Sequence, residues 1–331
     1  MSQSDVITLP QFLSRIPGLL ANLPGTIKGV KLGNNTDKSK PVGLGICIEE
    51  AVKMNPNGHA LIYQDTYISY SEYNAWANRI AHYLLKKGIK KGDTVAILIE
   101  NRPELFACVA ACAKIGAINA LINTSQRGKV LTHSINLVEP KLAIVGEELA
   151  EAFDEVKSDL VVSADGHYYL ADQDTLKDPG TAPQGWNNLA TEIHGFSESN
   201  LPETQKIFSE DPCFYIYTSG TTGLPKAVIF NHGRFMKAYG AFGYGALRLN
   251  TTDRIYVTLP FYHATAMAVC WGSTLAGKSG LIIARKFSAS RFWDDVRKYD
   301  ATAFGYVGEL CRYLMDQPAK PNDSDNNIRV I

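Results

Sequence analysis

Cys213 to Phe230 read CFYIYTSGTTGLPKAVIF. Two short β runs, Cys213–Tyr217 and Ala227–Phe230, enclose a loop of different chemistry. That loop is Thr218, Ser219, Gly220, Thr221, Thr222, Gly223, Leu224, Pro225 and Lys226. Four hydroxyls, two glycines and a lysine fall within nine residues. Glycines let the backbone approach a bound group and turn its N–H donors toward it. Hydroxyls add donors, and lysine adds a compact positive charge. The inventory suits the β- and γ-phosphates of ATP. It is not the Walker loop, whose glycines lie farther apart and whose lysine is followed by Ser or Thr at a helix start. On its own, a Gly/Ser/Thr loop also fits a flexible surface hairpin.

Outward from this loop the chain alternates strand and helix. Ala60–Tyr63 and Thr66–Tyr70 read as a hairpin around Gln64-Asp65. Ser71 is expected to cap a helix whose stripe holds Tyr73, Trp76, Ala77, Ile80, Ala81 and Leu84, ended by Gly88. Thr94–Ile99 is a buried strand, and Asn101 caps the next helix, with Pro103 in its first turn and Gly116 at its close. Strands at Ile118–Ile122 and Leu142–Val145 flank a helix at Arg127–Leu137. Residues 163–210 lose the rhythm and read as a polar excursion between subdomains. Strands then resume at Arg254–Leu259, Leu281–Ala284 and Ala301–Tyr306, with helices near 232–245, 264–276 and 289–299. The expected fold is α/β, with mixed, mostly parallel sheets and flanking helices.

Composition sets bounds. Lys plus Arg and Asp plus Glu number 33 each. That balance argues against a nucleic-acid binder, which needs a basic excess. Six cysteines at 47, 108, 112, 213, 270 and 311 form no CxxC and no zinc-ligand spacing, so no metal site is expected. Free thiols suit a reducing, cytoplasmic setting. No apolar run of about 18 residues and no signal peptide appear. Residues 1–44 read as an arm and linker. Within them, residues 9–31, LPQFLSRIPGLLANLPGTIKGVK, place Leu, Phe and Ile between Arg15, Lys28 and Lys31. This segment is a candidate for peripheral contact with the inner face of a membrane. An arm packed on the protein's own surface is the alternative. Pro17 and Pro24 are expected to interrupt it.

The loop string Thr218–Lys226 resembles the phosphate loop of the adenylate-forming, AMP-binding superfamily at nearly every position. Leu259-Pro260-Phe261-Tyr262-His263 resembles a second motif of that superfamily. The resemblance places His263 beside the bound acid. A lone histidine there also reads as a structural hydrogen-bonder. Arg285 to Trp293 (RKFSASRFW) and Gly305 to Leu314 (GYVGELCRYL) look like the fatty acid transport protein and very-long-chain acyl-CoA synthetase branch. Physically, the first of these shows only a serine cap and an aromatic face. The resemblance implies that Gly305, Tyr306 and Val307 border the acyl tunnel. It covers roughly residues 45–331, read as a partial large domain.

What the resemblance implies is a two-step reaction. A long-chain fatty acid joins the α-phosphate of ATP, pyrophosphate leaves, and coenzyme A takes the acyl group as a thioester. Lys226, the loop amides and a magnesium ion would neutralise the pyrophosphate. Thr218, Ser219, Thr221 and Thr222 would donate to it, Gly220 and Gly223 would let the backbone close in, and His263 would hold the acid. An aryl, short-chain or amino acid substrate stays open, as does a fatty-acid uptake protein at the membrane. The superfamily's magnesium glutamate, ribose aspartate, hinge and small lid domain find no match before Ile331. The chain therefore reads as an N-terminal fragment that is not expected to complete thioester synthesis alone.

Overall fold

The computed structural model describes residues 8–34, 39–219 and 223–331. Two mostly parallel sheets organise it. The larger has seven strands in the order β7-β6-β5-β3-β4-β8-β9. These are β3 (Thr94–Leu98), β4 (Ile118–Leu121), β5 (Leu142–Gly146), β6 (His167–Leu170), β7 (Asn187–Asn188), β8 (Pro212–Thr218) and β9 (Lys226–Asn231). Every pairing is parallel except β8 with β9. The smaller sheet runs β12 (Ala303–Gly305), β10 (Arg254–Val257), β11 (Gly280–Ile283), β1 (His59–Tyr63) and β2 (Thr66–Ser69). Only its β1–β2 hairpin is antiparallel.

Helices α1 (Leu9–Leu13) and α2 (Ile16–Gly33) form the arm. Then come α3 (Leu44–Met54), α4 (Tyr70–Lys86), α5 (Pro103–Ile115), α6 (Gly128–Asn136), α7 (Glu147–Asp154) and α8 (Leu189–Glu192). The second half carries α9 (His232–Ala238), α10 (Trp271–Gly277), α11 (Phe292–Lys298) and α12 (Gly308–Met315). Strands β3, β4 and β5 are buried at every position, as expected of parallel strands covered on both faces. Helix α5 is buried along its whole length. That explains Cys108 and Cys112, which are core thiols, and all six cysteines are unpaired.

Several expectations need correction. Helix α4 starts two residues earlier than the sequence suggested. Ser69, not Ser71, caps it: Ser69 Oγ accepts from the Glu72 N–H at 3.2 Å, and the Glu72 carboxylate accepts from the Ser69 N–H at 2.8 Å. This reciprocal capping box takes the helix start from the hairpin's last residue. Asn101 does not cap α5, whose N-cap is the extended Arg102. Residues 163–210 are not an excursion. They supply β6 and β7, and Trp186 packs on Phe153, His167 and Tyr169. The buried HYYL of β6 is too short to show a period.

The arm differs too. It breaks at Ser14–Arg15, not at its prolines. Pro17 sits in the first turn of α2, where its missing N–H costs nothing, and Pro24 is carried inside the helix by packing against the body. The helices expected at 232–245 and 264–276 each change pitch. Tyr239–Leu247 and Thr265–Cys270 wind as π-helix. Of the expected arm and linker over residues 1–44, residues 1–7 and 35–38 lie outside the described residues.

Candidate active site

The described flagged residues from Thr218 onward lie at or just past the carboxyl ends of parallel strands, Lys226 through its pairing with Thr218, where open α/β sheets gather their ligand sites. Thr218 closes β8 and Lys226 opens β9, and the two residues face each other across the antiparallel pair. Thr218, Ser219, Gly223 and Lys226 are exposed. Gly220, Thr221 and Thr222 lie outside the described residues. Gly223 takes a φ of 86°, a left-handed conformation that glycine adopts without strain. The loop's returning end is fixed from below. The His133 Nε2–H reaches the Pro225 carbonyl at 3.0 Å, and the Tyr217 hydroxyl donates to the Ser134 carbonyl at 2.7 Å. Helix α6 therefore holds the described base of the hairpin.

His263 follows β10 on a turn whose position is set by its neighbour. Phe261 is fully buried, with its ring 4.7 Å from Phe106. Its N–H donates to Asn101 Oδ1 at 3.1 Å. Phe106 in turn packs edge-on to Trp271. With Phe261 pinned, His263 projects at the surface beside Tyr262, ring centroids 4.5 Å apart. Its carbonyl accepts from the Met267 N–H at 3.0 Å, an α-type bond that leads into the π-helical turns Thr265–Cys270. Surrounding protein lowers the pKa of its imidazole, which favours the neutral ring.

Gly305 ends β12 in register with Val257, and a side chain there would collide with the Cys270 sulfur. The π-helical turns after His263 thus pack on the strand expected to border the acid. Tyr306 and Val307 are exposed at that strand's end. Val307 shares a cleft of about 400 Å³ with Thr124, Thr258, Pro260 and Tyr262. Thr258 Oγ1 is buried with no hydrogen-bond partner among the described residues. The cleft and the loop belong to neighbouring strands. Thr124 and Ser219 each lie three residues beyond the last paired residues of β4 and β8, Leu121 and Ile216. Lys226 itself lines a different depression, against α6.

Sequence reading missed the residues that hold the two sheets together here. Asn101 donates to the carbonyls of Leu259 and Ala284, both 3.0 Å away. Arg285 meets Glu100 and Asp172, each at 2.6 Å. Burial opposes the charge on both carboxylates, yet the guanidinium outweighs it and lowers their pKa values. Arg102 is buried and donates to the carbonyls of Ala171 and Leu170 while pairing with Glu104 at 3.0 Å. Arg102 and Glu104 sit in the plain string NRPE (Asn101–Glu104), which signals nothing beyond a helix start.

Comparison with known proteins now adds a family. The model for "AMP-binding enzyme" matches residues 48–331. The chain belongs to the AMP-binding enzyme family. Medium/long-chain-fatty-acid–CoA ligase FadD6 of Mycobacterium tuberculosis is 35% identical over 326 residues, 98% of this chain and 52% of that protein. Long-chain fatty acid transport protein 6 of Mus musculus is 34% identical over 281 residues, 84% of this chain and 44% of that protein. This AMP-binding chain thus spans about half the length of the curated relatives it matches. Among solved structures, the inhibitor-bound N-terminal domain of FACL13 from Mycobacterium tuberculosis superposes with a TM-score of 0.73 at 22% identity. The match covers 87% of this chain and 68% of that one. At that identity the likeness shows the fold alone, that of the N-terminal domain of such a protein.

Proposed function

We propose that this chain supplies the acid- and phosphate-binding part of an ATP-dependent long-chain fatty acid–CoA ligase. The observation that supports it best is a juxtaposition. A hydroxyl- and glycine-rich loop closed by Lys226 lies one strand away from a half-apolar cleft at the carboxyl ends of both sheets. The relatives' names supply the class of acid. In the first step a carboxylate oxygen bonds to the α-phosphorus as the bond to pyrophosphate breaks. In the second, the coenzyme A thiol loses its proton, its sulfur bonds to the acyl carbon, and AMP departs.

Charge builds on the pyrophosphate in the first step, so prearranged donors there lower the barrier. Thr218, Ser219, Thr221, Thr222 and the amides around Gly220 and Gly223 would donate, and Lys226 would bring the charge. His263, kept neutral, would hold the acid, and Gly305, Tyr306 and Val307 would border its tail. Among the described residues no group of three or more His, Cys, Asp or Glu side chains is arranged to hold a metal ion. A magnesium ion here would be held mainly by the phosphates of ATP and by water, with few ligands from the protein.

The adenosine contacts, the hinge and a lid would come from a segment such as the relatives' second half, and residues 1–331 alone would make no acyl-CoA. Peripheral membrane contact through residues 9–31 belongs to the same reading. Among the described residues no helix is long and apolar enough to cross a membrane. ATP–pyrophosphate exchange by the full-length enzyme across a series of acids tests the proposal. Exchange is expected to rise with chain length, because each buried methylene adds about 0.8 kcal/mol. A maximum at acetate or benzoate overturns the choice of acid.

A further inference from the structure

Helix α2 has two faces of opposite character. Gly25, Gly29 and Gly33 recur every four residues and so lie along one side. That side seats on the π-helical turns Tyr239–Leu247 and their approach. A side chain at Gly29 would strike the Gly240 carbonyl. At Gly25 it would come within 3.2 Å of the Tyr244 carbonyl oxygen, and at Gly33 within 3.2 Å of Lys237 Cα. Lys28 lies 4.3 Å from the centre of the Tyr244 ring and clasps the same contact. The glycines let two backbones meet, and α2 is held against the body along this side.

The opposite side points away from the protein. Leu20, Leu23, Ile27 and Val30 keep 63%, 48%, 46% and 55% of their surface exposed. Leu9, Phe12 and Leu13 of α1 extend the patch. Single exposed leucines are ordinary, but a contiguous exposed apolar face marks an interaction site. Charge narrows the choice of partner. Residues 8–34 hold Arg15, Lys28 and Lys31 and no Asp or Glu, and the exposed Lys237 adjoins Gly33. A second copy would set cations against cations. An anionic lipid surface offers hydrocarbon to the leucines and phosphates to the cations.

We propose that α1 and α2 form an in-plane anchor that buries Phe12, Leu20, Leu23, Ile27 and Val30 in the acyl boundary of an anionic bilayer. This deepens the membrane contact of the proposed function and rests on it. The anchor's inner face bears on Tyr239–Leu247, which packs through α10 toward the π-helical turns after His263. The membrane is thereby placed beside the wall expected to receive a fatty tail.

Co-sedimentation of the full-length enzyme with vesicles tests the anchor. Phosphatidylcholine vesicles containing phosphatidylglycerol should bind it more strongly than phosphatidylcholine alone, and added salt should weaken the binding. The double variant Leu23→Asp/Ile27→Asp should lower partitioning at least about tenfold with an unchanged melting temperature. A Leu23→Trp variant, which keeps the face apolar, should shift its emission to the blue on vesicles. The anchor is overturned by wild type that stays in the supernatant, by a double variant that binds like wild type, or by a Trp variant without a shift. It is equally overturned by a wild-type dimer that the double variant splits, since the face would then belong to a second copy. ATP–pyrophosphate exchange on a water-soluble acid is read in the same preparations. Vesicle binding without exchange defeats the ligase reading and leaves the anchor standing. Exchange without vesicle binding defeats only the anchor.

Discussion

The β8–β9 hairpin and the junction between the two sheets lie at the same level of the molecule and are built in opposite ways. The hairpin's loop is local in sequence and crowded with recognisable chemistry, and Thr218, Ser219, Gly223 and Lys226 around its tip are exposed. The junction gathers Glu100, Asn101, Arg102, Leu259, Ala284 and Arg285 from segments up to 185 residues apart, with Asn101 and Arg102 buried and the other four half-buried. One region would carry the proposed chemistry, which folding does not need. The other carries the alignment on which the first depends.

The junction should therefore fail by unfolding. Arg102→Ala would leave Glu104 buried with no cation and the carbonyls of Leu170 and Ala171 without their donor. Breaking a buried pair from one side costs about 3–5 kcal/mol. Urea denaturation should show a lower midpoint of that size. A midpoint within 1 kcal/mol (about the scale of an exposed pair) would mean the junction is no more structural than the hairpin tip.

The base of the hairpin sharpens the contrast, because there the same element turns inward. His232, next after β9, is fully buried, and its Nδ1 accepts from the Leu44 N–H at 3.3 Å. Its Nε2 is buried without a partner among the described residues. Burial pushes its pKa from 6.5 down to about 4. The unfolded ring takes a proton that the folded ring refuses, so stability is full above about pH 6.5 and drains as pH falls toward 4. The loss amounts to about 3 kcal/mol. His232→Gln should flatten that part of the stability–pH curve. An unchanged slope between pH 4 and 6.5 would place the acid sensitivity in the carboxylates instead.

At the tip, the effect should move from stability to rate. Lys226→Ala removes an exposed cation that forms no ion pair among the described residues. It should leave the denaturation midpoint unchanged and slow adenylate formation by roughly ten- to a hundredfold, about 1.5–3 kcal/mol of charge-assisted contact. Normal pyrophosphate release at subsaturating ATP would remove the loop from the mechanism.

What the sequence made legible follows this division. The loop, the βαβ rhythm and the apolar strands are local patterns, and nearly every strand lies within two residues of its expected place. Family strings marked His263 and Gly305. The junction was not legible, because Asn101 acts through partners more than 150 residues away. Its local signal, a polar residue before proline, points equally well to a helix cap. The π-helical turns were also hidden, since their apolar content fits an α-helix. Only packing, such as Gly305 against Cys270, shows the altered pitch.

The smallest effect tests a place where local reading was almost right. Both Ser69 and Ser71 are plausible caps for α4 by residue type alone. The structure assigns the cap to Ser69, whose hydroxyl accepts from the Glu72 N–H while the Glu72 carboxylate accepts from the Ser69 N–H and hydroxyl. These bonds hold the Glu72 carboxylate below its ordinary pKa, the Ser69 hydroxyl first among the causes. Ser69→Ala should cost about 1 kcal/mol, the usual price of a lost cap. Ser71, already inside the helix and exposed, should tolerate alanine with no loss or a slight gain, since alanine is the better helix former. Glu72→Gln keeps an oxygen that can accept from the Ser69 N–H and should cost less than Ser69→Ala. Denaturation midpoints of the three variants, read together, decide the register. If Ser71→Ala proves the costly one and Ser69→Ala is silent, α4 begins where the sequence first suggested. The β1–β2 hairpin would then need a longer second strand than the one that ends at Ser69.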